Sequence, residues 1–538
     1  MAQLSQIKDR MWNMSGLAVL RAMLWLLLGA VGVMFASRAF GWVSSLMWYA
    51  YPADGLEGPL LTQAHLLWNG QQLYQPFELY RFVSAPYPPW HPLALGFADQ
   101  FAAPHPFWSG RIVSLLSAVG VVMVAALITW RVSRSLLASF LAAALLFSFP
   151  PLALWATRIK PDMYALLWTA LGLLFATLAL AERTKNRKIR RTKNKEQRIS
   201  EFRLGSLFSV LCSSFFVLCS SLCFALAFFT KQTALAAPLA AGLAFLLADL
   251  RAWRGDAQAG YRGRFPLRFR TILFGASYLG VIGLAWLLLD RWSAGQFTFH
   301  IWTQHRNALW TPQLLFKFVS LLGYTWPLML LGLATLALAW RAPRAQIVAC
   351  YLLIVPATLY GAGKTGANHN HLLETLLALA MAGGIMIGWA MRNLALRPVL
   401  ASAVVGLFGL QMALAFSPPE WYGGELVRTG TPQRYIDFIK TVPGEVLADD
   451  PSLLYLADKP LRYDDPSGFG PVAHSGLWDQ TGMIDDITQR RFGAIIIPID
   501  VEAERIDPSG RWTPEMLAAI RTNYQVLYRD TEIIYIPK

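Results

Sequence analysis

The chain has 538 residues, 55% of them hydrophobic and only 15% charged, with a mean hydropathy of +0.40. A soluble protein of this size would need far more charge, and several apolar runs reach the ~20 residues a helix needs to cross a bilayer. The net charge of +15 is unevenly spread, and its distribution bears on orientation.

In chain order, hydropathy predicts about eleven membrane helices, at 17–37, 110–130, 136–156, 162–182, 205–228, 233–249, 271–290, 315–339, 346–361, 371–390 and 398–416. Helices are the expected spanning elements because each satisfies its own backbone hydrogen bonds in lipid. The opening MAQLSQIKDR leads into the first run without a small-residue cleavage site, so a retained first helix is expected. With the N-terminus inside, the inside segments hold twenty-five of the 47 Lys and Arg residues and the outside connections ten. This bias places the N-terminus in the cytoplasm of a plasma (inner) membrane protein. The basic run 182–203 fits a cytoplasmic anchor against anionic lipid better than a nucleic-acid arm, so no nucleic-acid partner is expected.

The domain reading is a transmembrane part, 1–416, with a first outer loop at 38–109, and an extracytoplasmic domain, 417–538. The latter carries nineteen acids against twelve bases. Its 493–499 and 532–538 segments are rich in β-branched residues and predict strands. Asp450 before Pro451 and Thr513 before Pro514 predict helix starts. The fold class is thus a polytopic α-helical membrane protein with a small C-terminal α/β domain. Cys212, Cys219, Cys223 and Cys350 all lie in apolar runs and are expected as small buried side chains.

The outside connections carry the polar chemistry. Seven of eight histidines fall in or beside them, as do Arg158, Lys160, Asp162, Lys231 and Lys364 at span ends. Charges beside spanning helices are costly unless solvated or paired, which makes them site candidates. Asp54 and Glu57 in YPADGLEG form a paired acid just past the first span. Two carboxylates can deprotonate a hydroxyl or hold a divalent cation, with His65 or His91 as conceivable further ligands. Clustered cations can receive a phosphate. Together they fit a polyprenyl-phosphate sugar and a hydroxyl acceptor such as a glycolipid, glycan or protein. After the acids, 58–74 predicts a short surface helix with Leu60, Leu61, Ala64 and Leu67 on one face. Gln63, Gln71 and Gln72 are expected to be more exposed, with Gly70 as the stop.

The series D-x-x-E-G (54–58), A-x-x-L-x-x-G-x-x-L-Y (64–74) and Y-P-P (87–89) resembles the first outer loop of the glycosyltransferase C superfamily. The likeness is to the protein O-mannosyltransferase and lipid A aminoarabinose transferase kind. KPDMYAL (160–166), TKQTAL (230–235) and NHNHLLE (368–374) resemble segments of bacterial members. The resemblance implies a membrane transferase moving sugar, with inversion, from a polyprenyl monophosphate to a hydroxyl on the outer face. It implies Asp54 as catalytic base, with Glu57 as a second catalytic carboxylate, its partner or a metal ligand. Arg158, Lys160, Lys231, Lys364 and His369 would bind the donor phosphate, and Tyr87, His91, Asp162, Gln232, His371 and Glu374 would line the substrate. Lysine at 160, where arginine is common, gives up a bidentate phosphate grip. No nucleotide cofactor is implied, and a divalent cation stays open. The competing readings are a lipid or glycan transporter or flippase, a polymerase or ligase using a diphosphate-linked donor, and a membrane scaffold.

Overall fold

The computed structural model describes residues 2–192, 200–258, 269–305, 310–341, 343–364, 366–416, 432–503 and 510–538. Among them are ten helices long and apolar enough to cross a membrane, and the chain is a polytopic α-helical membrane protein. The first helix runs Ala2–Met47, with its apolar span at Ala22–Met47, later than the expected 17–37. The reason is a buried stripe at four-residue spacing, Phe35, Ala39, Val43 and Met47, which carries the helix past Arg38. The helix therefore ends at Met47, nine residues beyond position 38.

The expected span 136–156 is broken. Its helix Leu136–Ser148 stops before Phe149, which is extended, and a short helix Pro150–Trp155 follows. Proline disfavours helical geometry in the residue before it, and Pro150 opens the next helix with its φ already set. This break delivers the chain to Arg158 and Lys160 before the next long helix, Pro161–Thr192. The helix Leu373–Asn393 is apolar on all sides and lies at the centre, with 89% of its most apolar window buried.

In the loop, helix Glu57–Trp68 ends just before Gly70, which takes a left-handed φ of 71° as a helix stop requires. Leu60, Leu61 and Ala64 are buried as expected. Gln63 is buried too, contrary to expectation, because its amide Nε2 donates to the Ser84 carbonyl at 2.7 Å.

The C-terminal part holds a four-stranded sheet of β1 (Glu445–Ala448), β2 (Phe492–Ile497), β3 (Tyr524–Arg529) and β4 (Ile533–Pro537), in the order β1-β2-β4-β3. β1 and β2 are parallel, and the other pairs antiparallel. The two helix starts are as expected: Asp450 accepts from Ser452 N at 3.0 Å, and Thr513 Oγ1 from Met516 N at 3.3 Å. The expected boundary after residue 416 and part of the basic run, 193–199, lie outside the described residues. The loop and the tail interlock. Phe82 of the loop packs in the tail's core against Phe469 and Trp478, and bridges to Tyr463. Ser84 N donates to Asp464 Oδ1 at 2.9 Å.

Candidate active site

Two chain segments far apart in sequence meet at Asp54. Glu57 brings them together. It is fully buried, and its Oε1 accepts from Arg111 Nε at 3.3 Å and Ile159 N at 2.9 Å. Its Oε2 accepts from Arg111 Nη2 at 2.8 Å and Ala53 N at 2.9 Å. Arg111, also fully buried, spends its remaining donors on the Leu46, Tyr49 and Tyr51 carbonyls. One ion pair thus fixes the start of the acid loop, the head of helix Trp108–Ser133 and the Arg158–Lys160 turn. With every oxygen taken, Glu57 does not stand free beside Asp54 as a second catalytic carboxylate; it positions the loop.

Asp54 itself is half-buried. Its Oδ1 accepts from Leu56 N at 3.0 Å and lies 2.8 Å from Lys160 Nζ, and its Oδ2 lies 4.0 Å from Arg158 Nη1. Burial pushes its pKa up, but the charges of Lys160 and Arg158 and the hydrogen bonds of Lys160 and Leu56 N outweigh it. The carboxyl is held down at about 2. Burial would likewise depress the Lys160 ammonium, yet Asp54 above all keeps its pKa above the ordinary lysine value. Arg158 also lies over the Trp155 ring at 5.0 Å.

A second pair adjoins the first. Lys231 Nζ donates to Asp162 Oδ1 at 2.5 Å, and Asn370 Nδ2 donates to the same oxygen at 2.9 Å. Tyr87 lies within electrostatic reach of Lys160, Asp162 and Asp54, and burial lifts its hydroxyl to about 12. His91 is completely buried, near Asp162 and Lys160, and burial drives its pKa down to about 3, leaving it neutral. Gln232 Nε2 donates to the Pro86 and Ile301 carbonyls at 3.1 and 3.3 Å. His371 packs on Gly361 within reach of Lys231, Asp162 and Lys364. Lys364 bridges to Trp310 across a strand-like pair. Glu374 accepts from the Tyr351 hydroxyl at 2.9 Å. His369 sits with Asn368 Oδ1 at 2.6 Å from its Nδ1 and edge-on to Trp155.

Asp54, Arg158 and Lys160 thus meet at one pair and Asp162, Lys231 and Asn370 at the next. Lys160, Arg158 and Lys231 do not stand as free cations: Asp54 and Asp162 already pair with them. The cation set considered for Asp54, Glu57, His65 and His91 is not assembled. Glu57 is saturated by Arg111, and His65 pairs with Asp99 at 2.6 Å. No group of three or more His, Cys, Asp or Glu among the described residues is placed to hold a metal ion.

Sequence reasoning missed several positioning residues. Asn370, between His369 and His371, is uncharged and gives no signal of its own in the sequence. Ser452 of the tail donates to the Gly55 carbonyl at 2.8 Å and accepts from Gly58 N at 2.8 Å, clamping the acid loop from above. Nothing in the local sequence marks it. Arg111 carried a usable signal, a lone charge at the head of an apolar run.

No protein-family model matches the sequence, and neither does any curated protein. Among solved structures, the chain is similar to ArnT from Cupriavidus metallidurans bound to undecaprenyl phosphate, at 13% identity and a TM-score of 0.55, over 94% of this chain and 97% of that one. The apo state of the same protein gives 14% identity and a TM-score of 0.55 over the same shares. The oligosaccharyltransferase AglB from Archaeoglobus fulgidus reaches 12% identity and a TM-score of 0.47, over 96% of this chain and 74% of that one. The likeness to ArnT extends over nearly the whole chain and shows a common fold.

Proposed function

We propose that this chain, a polytopic membrane protein with the glycosyltransferase C fold, transfers a sugar from a polyprenyl monophosphate to an acceptor hydroxyl on the outer face of the membrane. The observation that carries the reading is the pairing of the first-loop acid Asp54 with Lys160 at 2.8 Å, with Arg158 4.0 Å away. The fold shared with ArnT, whose structure holds undecaprenyl phosphate, supports the donor class. The excess of basic residues in the segments assigned inside supports the outer-face orientation.

In the resting site Asp54 is a weak base, because its two cations stabilise the carboxylate. A donor phosphate brings negative charge that competes for those same cations. As Lys160 and Arg158 turn to the phosphate, Asp54 loses its counter-charge, its proton affinity rises, and it can take the proton of the acceptor hydroxyl. The acceptor oxygen then bonds to C1 of the sugar. The C1–O bond to the phosphate breaks on the opposite face with inversion, and the polyprenyl phosphate leaves with the electron pair. Lys160, Arg158, Lys231 and Lys364 stabilise the charge that grows on the departing phosphate, and one such donor commonly contributes ~2.7–4 kcal/mol. Glu57 and Arg111 hold the loop, and the tail's Ser452 keeps it seated.

The test is reconstitution in proteoliposomes with undecaprenyl phosphates bearing different sugars and a mixture of envelope glycolipids and glycans as acceptors. The expected product is an inverted glycoside made without any nucleotide. Transport of intact lipid across the bilayer with no glycoside formed would favour the flippase reading instead.

A further inference from the structure

Beside the paired charges lies a group of buried polar atoms with no partner. Among the described residues, Asp162 Oδ2, Asn370 Oδ1 and Gln232 Oε1 find no protein donor, and neither ring nitrogen of His91 has a protein partner. The amide orientations are set, because Asn370 Nδ2 already donates to Asp162 and Gln232 Nε2 to two carbonyls, so each amide oxygen faces the other way. Asp162 and His91 are at least nine-tenths buried. A buried acceptor left unpaired is costly, so this surface suits a ligand rich in hydrogen-bond donors.

Charge narrows the class. Asp162 already has the Lys231 ammonium at 2.5 Å, with Lys160 in electrostatic reach. A cationic ligand, whether an amino sugar or a metal ion, would add positive charge where the carboxylate is already compensated. A uronate would bring a carboxylate against three oxygen acceptors. Neutral hydroxyls fit: each donates one hydrogen bond and adds no charge, and the neutral imidazole of His91 can give or take one.

Building on the proposed donor class, we infer that Asp162, Asn370, Gln232 and His91 form the subsite for the donor's sugar ring, and that it selects a neutral, hydroxyl-bearing sugar. The cations at Asp54 then hold the phosphate, and this acceptor-lined wall reads what the phosphate carries.

The experiment measures binding to the full chain in detergent of undecaprenyl phosphate alone and of the same lipid bearing mannose, glucose, galacturonate or 4-amino-arabinose. The expected result is that a neutral hexose binds about tenfold tighter than the sugar-free lipid, while the charged sugars gain nothing. His91→Phe removes two nitrogens with no protein partner among the described residues, so its Tm is expected to stay or rise. It should also erase most of the hexose gain while leaving the sugar-free affinity within about twofold. Gln232→Met serves as the second variant, read the same way after its Tm is checked. The inference is overturned if a charged sugar binds best, if hexose binding needs an added divalent cation, if no hexose outbinds the bare lipid, or if His91→Phe keeps the gain. Failure of the sugar-free lipid to bind at all would instead count against the donor class itself.

Discussion

Replacing Lys160 with Met removes the ammonium 2.8 Å from Asp54 while keeping most of the side chain's bulk. In the intact site, burial raises the Asp54 pKa, but Lys160 and Arg158 bring it from 3.8 to about 2. That drop corresponds to roughly 2 kcal/mol favouring the ionised, folded state. Because the folded pKa is depressed, this stabilisation is fully present above about pH 3.8 and is lost as the pH falls toward 2. In Lys160→Met the largest remaining influence is burial, so the Asp54 pKa moves upward. Two effects on transfer follow. Turnover falls by roughly 10²–10³-fold, because a donor to the departing phosphate is gone. The acid limb of kcat/KM, which reports the free protein's Asp54, moves up into the range where it can be measured. The assay is sugar transfer in proteoliposomes between about pH 4 and 8, for both proteins, across donor concentrations. An unmoved acid limb together with a loss of less than about threefold would refute the coupling of Lys160 to the base.

Two further outcomes concern the scaffold. Glu57→Gln leaves the Arg111 guanidinium buried without its counter-charge and is expected to destabilise the protein by ~3–5 kcal/mol, read as a fall in Tm in detergent. The double variant Glu57→Gln, Arg111→Met should recover part of that loss. Gly58→Ala would put a Cβ 2.7 Å from Tyr455 Cβ and 2.9 Å from Ser452 Cα, which must push the tail's helix off the acid loop. A loss of ~1–3 kcal/mol in stability with a parallel fall in transfer is expected, measured by thermal unfolding and turnover.

Much of this architecture is legible in the sequence because its signals are local. Hydropathy finds most of the spans, and the Asp450-Pro451 and Thr513-Pro514 pairs each find a helix start from two adjacent residues. Strands β2 and β4, expected at 493–499 and 532–538, follow from β-branched composition. What stays illegible is set by contacts between distant residues. A buried Glu57 and an exposed Glu57 look alike in one dimension; only its pairing with Arg111 and Ile159 N decides, and those partners come from a distant helix and a distant turn. Gln63 reads as polar surface until Ser84 is brought beside it. The broken span at Phe149 was foreshadowed by Pro150-Pro151, yet the apolar run through it masked the break. The first span's length depended on the stripe from Phe35 to Met47 finding neighbours to pack against. The candidate site shows the same division. Its charged members stand out against an apolar background, whereas their pairing into Asp54–Lys160 and Asp162–Lys231 emerges only in three dimensions.

The central claim is that Asp54 serves as the base and, at rest, neutralises the cations that receive the phosphate. Asp54→Asn tests it most directly, with sugar transfer in proteoliposomes and binding of sugar-free undecaprenyl phosphate measured side by side. Transfer is expected to fall by ~10²–10⁴-fold while the lipid phosphate binds as tightly as before or tighter, its competitor for Lys160 and Arg158 having gone. Turnover near that of the unaltered protein, or weaker phosphate binding, would contradict the account.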